Sequence, residues 1–162
     1  MAGTSPAMTI VRKMPQPSFM QLALEEARAA AARGEVPIGC VIVRDGEVVA
    51  RAGNRTLADK DPTGHAELIA IRDAAARIGT ERLTGCDLYV TLEPCTMCAA
   101  ALSFARIRRL YFGASDPKGG AVESGVRFFD SPTCHHRPEV YGGIGEAECA
   151  ALLREFFAAR RA

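Results

Sequence analysis

The chain has 162 residues, nearly half of them apolar and about a quarter charged, with a formal net charge of +1. That is enough for one well-buried domain and too little for two, and it excludes both a disordered chain and a strongly basic nucleic-acid coat. Six cysteines are too many to ignore, yet a core of this size needs no disulfide scaffold, and two of them have metal spacing, so the composition points to a reducing compartment.

Residues 1–14 carry Arg12 and Lys13 but no apolar h-region and no small-residue cleavage site. They read as a disordered extension ahead of a single domain over residues 15–162. Ser18-Phe19-Met20-Gln21 has the form of a capping box, with Ser18 accepting from the helix amides and Gln21 reaching back, and opens an alanine-rich helix that stops at Gly34. Val36 to Arg44 is apolar and β-branched, Asp45-Gly46 is a type I′ hairpin signal, and Glu47 to Ala52 alternates back as the second antiparallel strand.

Asn54 to Lys60 is a polar connection into Asp61-Pro62-Thr63, where Thr63 is placed to cap a second helix over 64–78. Leu68, Ile69, Ile71 and Ala75 form its expected buried stripe and Gly79 its stop. Leu88 to Leu92 is a short strand that runs through Glu93-Pro94 into a third helix, 95–106, followed by a strand at 109–113. Strands separated by helices imply parallel pairing, with ligands at their carboxyl ends. Residues 114–143 are mostly loop, with a last strand near 139–141, and a helix over 146–161 closes the chain on the stripe Cys149, Leu152, Leu153 and Phe156. No stretch of about eighteen apolar residues is present to span a membrane, and the expected location is cytoplasmic.

The chemistry is concentrated in His65-Ala66-Glu67 and Pro94-Cys95-Thr96-Met97-Cys98. Cys95 and Cys98, three apart at a helix start, share a face where orphan amides and the positive dipole end favour thiolates. With His65 they make three zinc ligands and leave a fourth position open, the arrangement of a catalytic site. Glu67 is then free to move protons while zinc-activated hydroxide attacks an amidine-like ring carbon. His65 and Glu67 would diverge in a regular helix, so one of them must sit at or before the first turn. H-x-E followed by P-C-x-x-C is a known signature of zinc-dependent nucleobase deaminases. Cys40, Cys86 and Cys149 read as small core residues, whereas Cys134-His135-His136 could form a second metal cluster but lacks a fourth ligand.

Around these motifs the chain resembles the bacterial tRNA-specific adenosine deaminase family. The resemblance runs from about Phe19 to Arg161 and includes residues 35–39, Gly53-Asn54, Asp61-Pro62-Thr63, 88–98, 103–113, 116–120 and Phe156-Phe157. It implies a three-layer α/β/α cytidine deaminase-like fold with a mixed five-stranded sheet, antiparallel in its first hairpin and parallel later. It also implies a homodimer with one Zn²⁺ per chain on His65, Cys95 and Cys98, Glu67 as proton shuttle, and wobble adenosine in the anticodon stem-loop of an arginine tRNA as substrate. Asn54 would hydrogen-bond the flipped base, Val36 would wall its pocket, and Asp116, Lys118, His135, His136, Arg137 and Phe157 would touch the anticodon loop. Gly64 stands where alanine was expected and could loosen the helix start.

The residues alone support RNA less strongly than they support the deamination chemistry. The cations are mostly arginine, only Lys13, Lys60 and Lys118 being lysines, and arginine's planar fork suits phosphate, but charge runs are commonly solvated faces. The rival readings are a free-base or nucleoside deaminase acting on guanine or cytosine, a zinc-stabilised RNA-binding subunit without activity, and a thiol oxidoreductase through Cys95 and Cys98.

Overall fold

The computed structural model describes residues 18–161. The extension expected over residues 1–14 therefore lies outside the described residues. Ser18 caps helix α1 (Phe19–Ala32), its hydroxyl accepting from the Gln21 amide at 3.1 Å. The other half of the expected capping box is absent, because the Gln21 side chain donates instead to Glu148 at 3.2 Å. That contact ties α1 to the last helix.

A tight turn at Val36, whose carbonyl accepts from the Ile38 amide, delays strand β1 to Gly39–Arg44. Asp45 and Gly46 both have positive φ, as the hairpin turn requires, and β2 (Glu47–Gly53) returns antiparallel. Helix α2 (Ala66–Ile78), β3 (Cys86–Leu92), α3 (Thr96–Ala105), β4 (Arg109–Ala114), β5 (Glu139–Tyr141) and α4 (Glu146–Arg161) follow in that order. The sheet order is β2-β1-β3-β4-β5; β1 pairs antiparallel with β2 and β3, while β3, β4 and β5 are mutually parallel.

Alternation along the strands produces the layers. Cys40, Ile42, Leu88 and Val90 face α2 and α3, whereas Val41, Val43 and Tyr89 face α1 and α4. The α2 stripe differs from the expected one: Ala66, Ala70 and Ala74 are fully buried, and Leu68, Ile69, Ile71 and Ala75 are only half-buried. Small residues at four-residue spacing let this helix approach the sheet closely, which leaves the larger ones at its flank. Gly39 serves the same purpose under α1, since a Cβ there would overlap the Ala23 carbonyl. Tyr89, Tyr111 and Tyr141 stand in register on neighbouring strands and stack at 4.4 and 5.1 Å, pinning the short edge strand β5.

The pairing puts the end of β2, the start of β1 and the ends of β3 and β4 on one edge of the sheet. Val36, Asn54, the Cys95 turn and Asp116 all emerge there. Among the described residues no helix is long and apolar enough to cross a membrane.

Candidate active site

His65 is the N-cap of α2 in extended conformation (φ −79°, ψ 147°), and Glu67 lies in the first turn behind it. The geometric demand read from their spacing is thus met: the histidine sits just outside the helix and the glutamate just inside. Thr63 does not cap this helix, because its amide and hydroxyl are both engaged by Asp61. The free Ala66 amide goes instead to Asn54 Oδ1 at 3.0 Å. Asn54 is buried and is held at its own backbone by Ile38 and Arg33, so its side chain is fixed with the NH₂ end as the remaining donor. Gly64 does not loosen the start either. It precedes the helix, its amide and carbonyl bond Asp61 and Arg55, and a Cβ there would lie 3.1 Å from the Asp61 carbonyl.

Across from it, Cys95 is the N-cap of α3 and Cys98 lies one turn in, fully buried. His65 Nδ1 is 3.7 Å from Cys95 Sγ and 3.6 Å from Cys98 Sγ. Zinc bound tetrahedrally at ordinary Zn–S and Zn–N lengths would hold sulfur and nitrogen about 3.6 Å apart, so the donor atoms already have the required spacing. This is the one grouping of metal-type ligands among the described residues. The second cluster considered in the sequence does not form: Cys134 Sγ and Ser103 Oγ donate to the His136 carbonyl, and His136 Nε2 donates to the Ile107 carbonyl at 2.7 Å.

The electrostatics also suit a cation. The Cys98 thiol, then the His65 ring and the Cys98 amide, hold Cys95 down to about 4, while donation to Cys95 and burial push Cys98 up. This environment favours the thiolate form of Cys95, the form that binds a cation, and metal binding at Cys98 would displace its proton. Glu67, 4% exposed, is pushed up to about 7 by burial, with the charge on Cys95 adding to it. A carboxyl in that range can both take and return a proton near neutrality.

Two carboxylates that support this edge were not singled out from the sequence. Glu93, 2% exposed, accepts from the amides of Asp116, Val122, Glu123 and Ser124 and from the Ser124 hydroxyl. It thereby fastens the loop after β4 to the residue two before Cys95. Glu35, equally buried, accepts from the amides of Leu57 and Ala58 and fastens the loop after Asn54. The only sequence signals were Glu93 before Pro94 and Glu35 two residues before Pro37, and most of the donors are backbone amides that no side-chain pattern records.

The other candidates divide in two. Val36, Asn54, Asp116 and Lys118 share the edge with His65, Glu67, Cys95 and Cys98, and Lys118 lines a cleft with Phe157, Leu153, Arg154 and Arg161. His135, His136 and Arg137 lie by the far end of α3 and the start of β5, at the opposite edge of the sheet.

The cytidine and deoxycytidylate deaminase zinc-binding region matches residues 14–114. The tRNA-specific adenosine deaminase of Agrobacterium fabrum is 67% identical over 143 residues, covering 88% of this chain and 94% of that protein. A solved structure from a study of A-to-I editing by tRNA:A34 deaminases at the wobble position of transfer RNA is 68% identical with a TM-score of 0.82, over 83% of this chain and 98% of that one. The guanine deaminase of Bacillus subtilis is similar at 32% identity and a TM-score of 0.60, over 92% of this chain and 96% of that one. The chain belongs to the tRNA-specific adenosine deaminases, within the zinc-binding cytidine and deoxycytidylate deaminase family.

Proposed function

We propose that the protein converts adenosine to inosine at the wobble position of an arginine tRNA, as a cytoplasmic homodimer whose zinc is held by His65, Cys95 and Cys98. The observation that carries the chemistry is a buried glutamate beside three convergent ligand atoms, on the same edge as a fixed asparagine. Zinc bound there supplies the Lewis acidity that makes water nucleophilic near neutral pH. Glu67 takes one proton of the attacking water and passes it to adenine N1, then takes the remaining proton of the hydroxyl added at C6 and gives it to the amine, which leaves as ammonia while the C6 carbonyl forms. Asn54 donates from its NH₂ to the flipped base, and Val36 walls the pocket. Asp116, Lys118 and Phe157 receive the anticodon loop around that pocket.

His135, His136 and Arg137 are read as RNA contacts as well, and their place at the opposite edge is accommodated when a second subunit helps to shape each RNA site. A surface for that subunit is available. Phe104, 72% exposed, borders a groove formed by Leu68, Ile71 and Ala75 of α2 and Ala101 of α3. Phe104→Glu is expected to turn a dimer into a monomer in analytical ultracentrifugation and to lower deamination of tRNA at least tenfold. An unchanged mass would refute this surface.

Free guanine remains the second reading because of the similarity to a guanine deaminase. Comparison of kcat/KM for a stem-loop with wobble adenosine against free guanine, cytosine and adenosine separates the two. The tRNA reading expects the stem-loop to exceed every free base by about 10³ or more, since only it supplies remote binding energy. A free base that matches it would reverse the assignment.

A further inference from the structure

Glu35 is the most deeply buried carboxylate among the described residues, 1% exposed, and no step of the deamination uses it. Its backbone is set by the end of α1. Gly34, at positive φ (88°), donates its amide to the Ala31 carbonyl and Glu35 donates its own to the Ala30 carbonyl, the paired bonds that close a helix on a left-handed glycine. Val36 follows and is restricted to extended conformations by Pro37. Glu35 thus enters the sheet edge from a rigid helix end, directly before the proposed wall of the base pocket.

The carboxylate reaches into the loop between Asn54 and His65. The Leu57 amide donates to Oε1 at 3.2 Å, the Ala58 amide donates to Oε2 at 2.8 Å, and the Thr56 hydroxyl stands 3.4 Å from Oε1. That loop closes on itself: the Arg55 amide donates to the Gly64 carbonyl at 2.9 Å, the Asp61 amide to the Thr56 carbonyl at 3.1 Å, and the Ala66 amide to Asn54 Oδ1 at 3.0 Å. Its two ends therefore carry the side chain proposed to face the base and the histidine that converges with Cys95 and Cys98. Between them, residues 56–60 make no other hydrogen bond outside the loop among the described residues. Nor is the loop held by burying Leu57, which is 68% exposed. Relative to α1 and the sheet, the body of the loop is fixed by one buried carboxylate.

We propose that Glu35 is a positioning residue of the deamination: by clamping the loop it sets the aim of the Asn54 carboxamide and the place of His65 at the N-cap of α2, while its own backbone seats Val36. This rests on the reading of the site given above. Burying a carboxylate costs stability unless its oxygens are well bonded, and an apolar residue would fill the space with less penalty. What the carboxylate adds is directional bonding, which holds an irregular stretch of backbone in one shape. Glutamine cannot replace it, because its NH₂ would face the Leu57 or the Ala58 amide, donor against donor. Aspartate keeps both acceptor oxygens but is one methylene short of them from the same backbone.

The test compares the parent with Glu35→Gln and Glu35→Asp in kcat and KM for tRNA, in zinc affinity by competition with a chelator, in hydrogen exchange of residues 54–66 and in thermal unfolding. Glu35→Gln is expected to lower kcat about 10- to 100-fold, the loss that follows when a positioning group moves by about 1 Å. KM should stay near the parent value, because the proposed RNA contacts Asp116, Lys118 and Phe157 lie on other elements. Zinc affinity should fall about 10- to 100-fold, as when the support behind a ligand is removed, and residues 54–66 should exchange faster. Glu35→Asp should lie between the parent and Glu35→Gln. If Glu35→Gln does not fold, Glu35→Asp carries the same comparison. A folded variant that melts earlier yet keeps the parent kcat and zinc affinity would overturn the proposal, since Glu35 would then only stabilise the fold. So would a raised KM with kcat unchanged, which would place its effect on RNA binding. A parent that makes no inosine from tRNA contradicts the underlying reading instead, and zinc affinity and exchange still judge Glu35 without any substrate.

Discussion

Replacing Glu67 by glutamine is expected to lower kcat by roughly 10² to 10⁴, the range lost with a positioned general acid–base, while zinc content stays at one per chain. Glu67 is not among the three convergent ligand atoms, so the metal should remain. The amide has nearly the same shape but cannot carry a proton from water to a ring nitrogen and then to a leaving amine. Stability should hold or rise, because the substitution removes an ionisable group that is 4% exposed. Single-turnover inosine formation, metal analysis and thermal unfolding of the same preparation check all three outcomes. Near-parent activity would remove Glu67 from the chemistry, and loss of zinc would mean that it holds the metal.

The second large effect is expected at a residue that touches no substrate. Glu93→Ala leaves four backbone amides and one hydroxyl without their acceptor. Orphaning such a buried cluster costs about 3–5 kcal/mol, within the range seen when one member of a buried charged network is removed. Urea unfolding measures it, and Glu93→Gln, which keeps one acceptor oxygen, should lose less. The loss should be accompanied by weaker tRNA binding, because the freed loop carries Asp116 and Lys118. Acid adds an independent check. Burial opposes ionisation of Glu93, but the Asp116, Glu123 and Val122 amides and the Ser124 hydroxyl outweigh it and hold the carboxyl below its ordinary value. A depressed folded pKa stabilises fully above the unfolded value near 4.3 and is lost as pH falls below it. The stability gap between the parent and Glu93→Gln should therefore narrow as pH drops under about 4. A gap constant with pH would show that the charge on Glu93 contributes nothing.

The convergence of His65, Cys95 and Cys98 was legible because metal chemistry constrains spacing: three donor atoms must meet, and two short motifs carry that requirement. The topology was legible for a similar reason, since each strand-to-helix alternation fixes a crossover and the Asp45-Gly46 turn fixes the one hairpin. What the sequence concealed was competition for polar groups. Thr63 looked like the cap of α2, but Asp61 holds it and Asn54, twelve residues before Ala66, provides the acceptor. Gln21 looked committed to its own helix end and instead reaches Glu148. On α2 hydrophobic size does not track burial: close packing on the sheet selects Ala66, Ala70 and Ala74 and leaves Leu68 and Ile71 at the flank. Glu93 and Glu35 were concealed for a related reason: their partners are amides of loops whose shape exists only because the carboxylates hold it.

The central claim is that a zinc-supported site with Glu67 as its proton carrier acts on a wobble adenosine in RNA. Zinc-loaded protein would be incubated in ¹⁸O-water with an arginine tRNA bearing adenosine at the wobble position, and the digested nucleosides analysed by mass spectrometry. The expected result is inosine at that position alone, with one ¹⁸O at C6 and one ammonia released per inosine, and none from Glu67→Gln. Zinc-loaded protein that leaves the tRNA unchanged would contradict the claim.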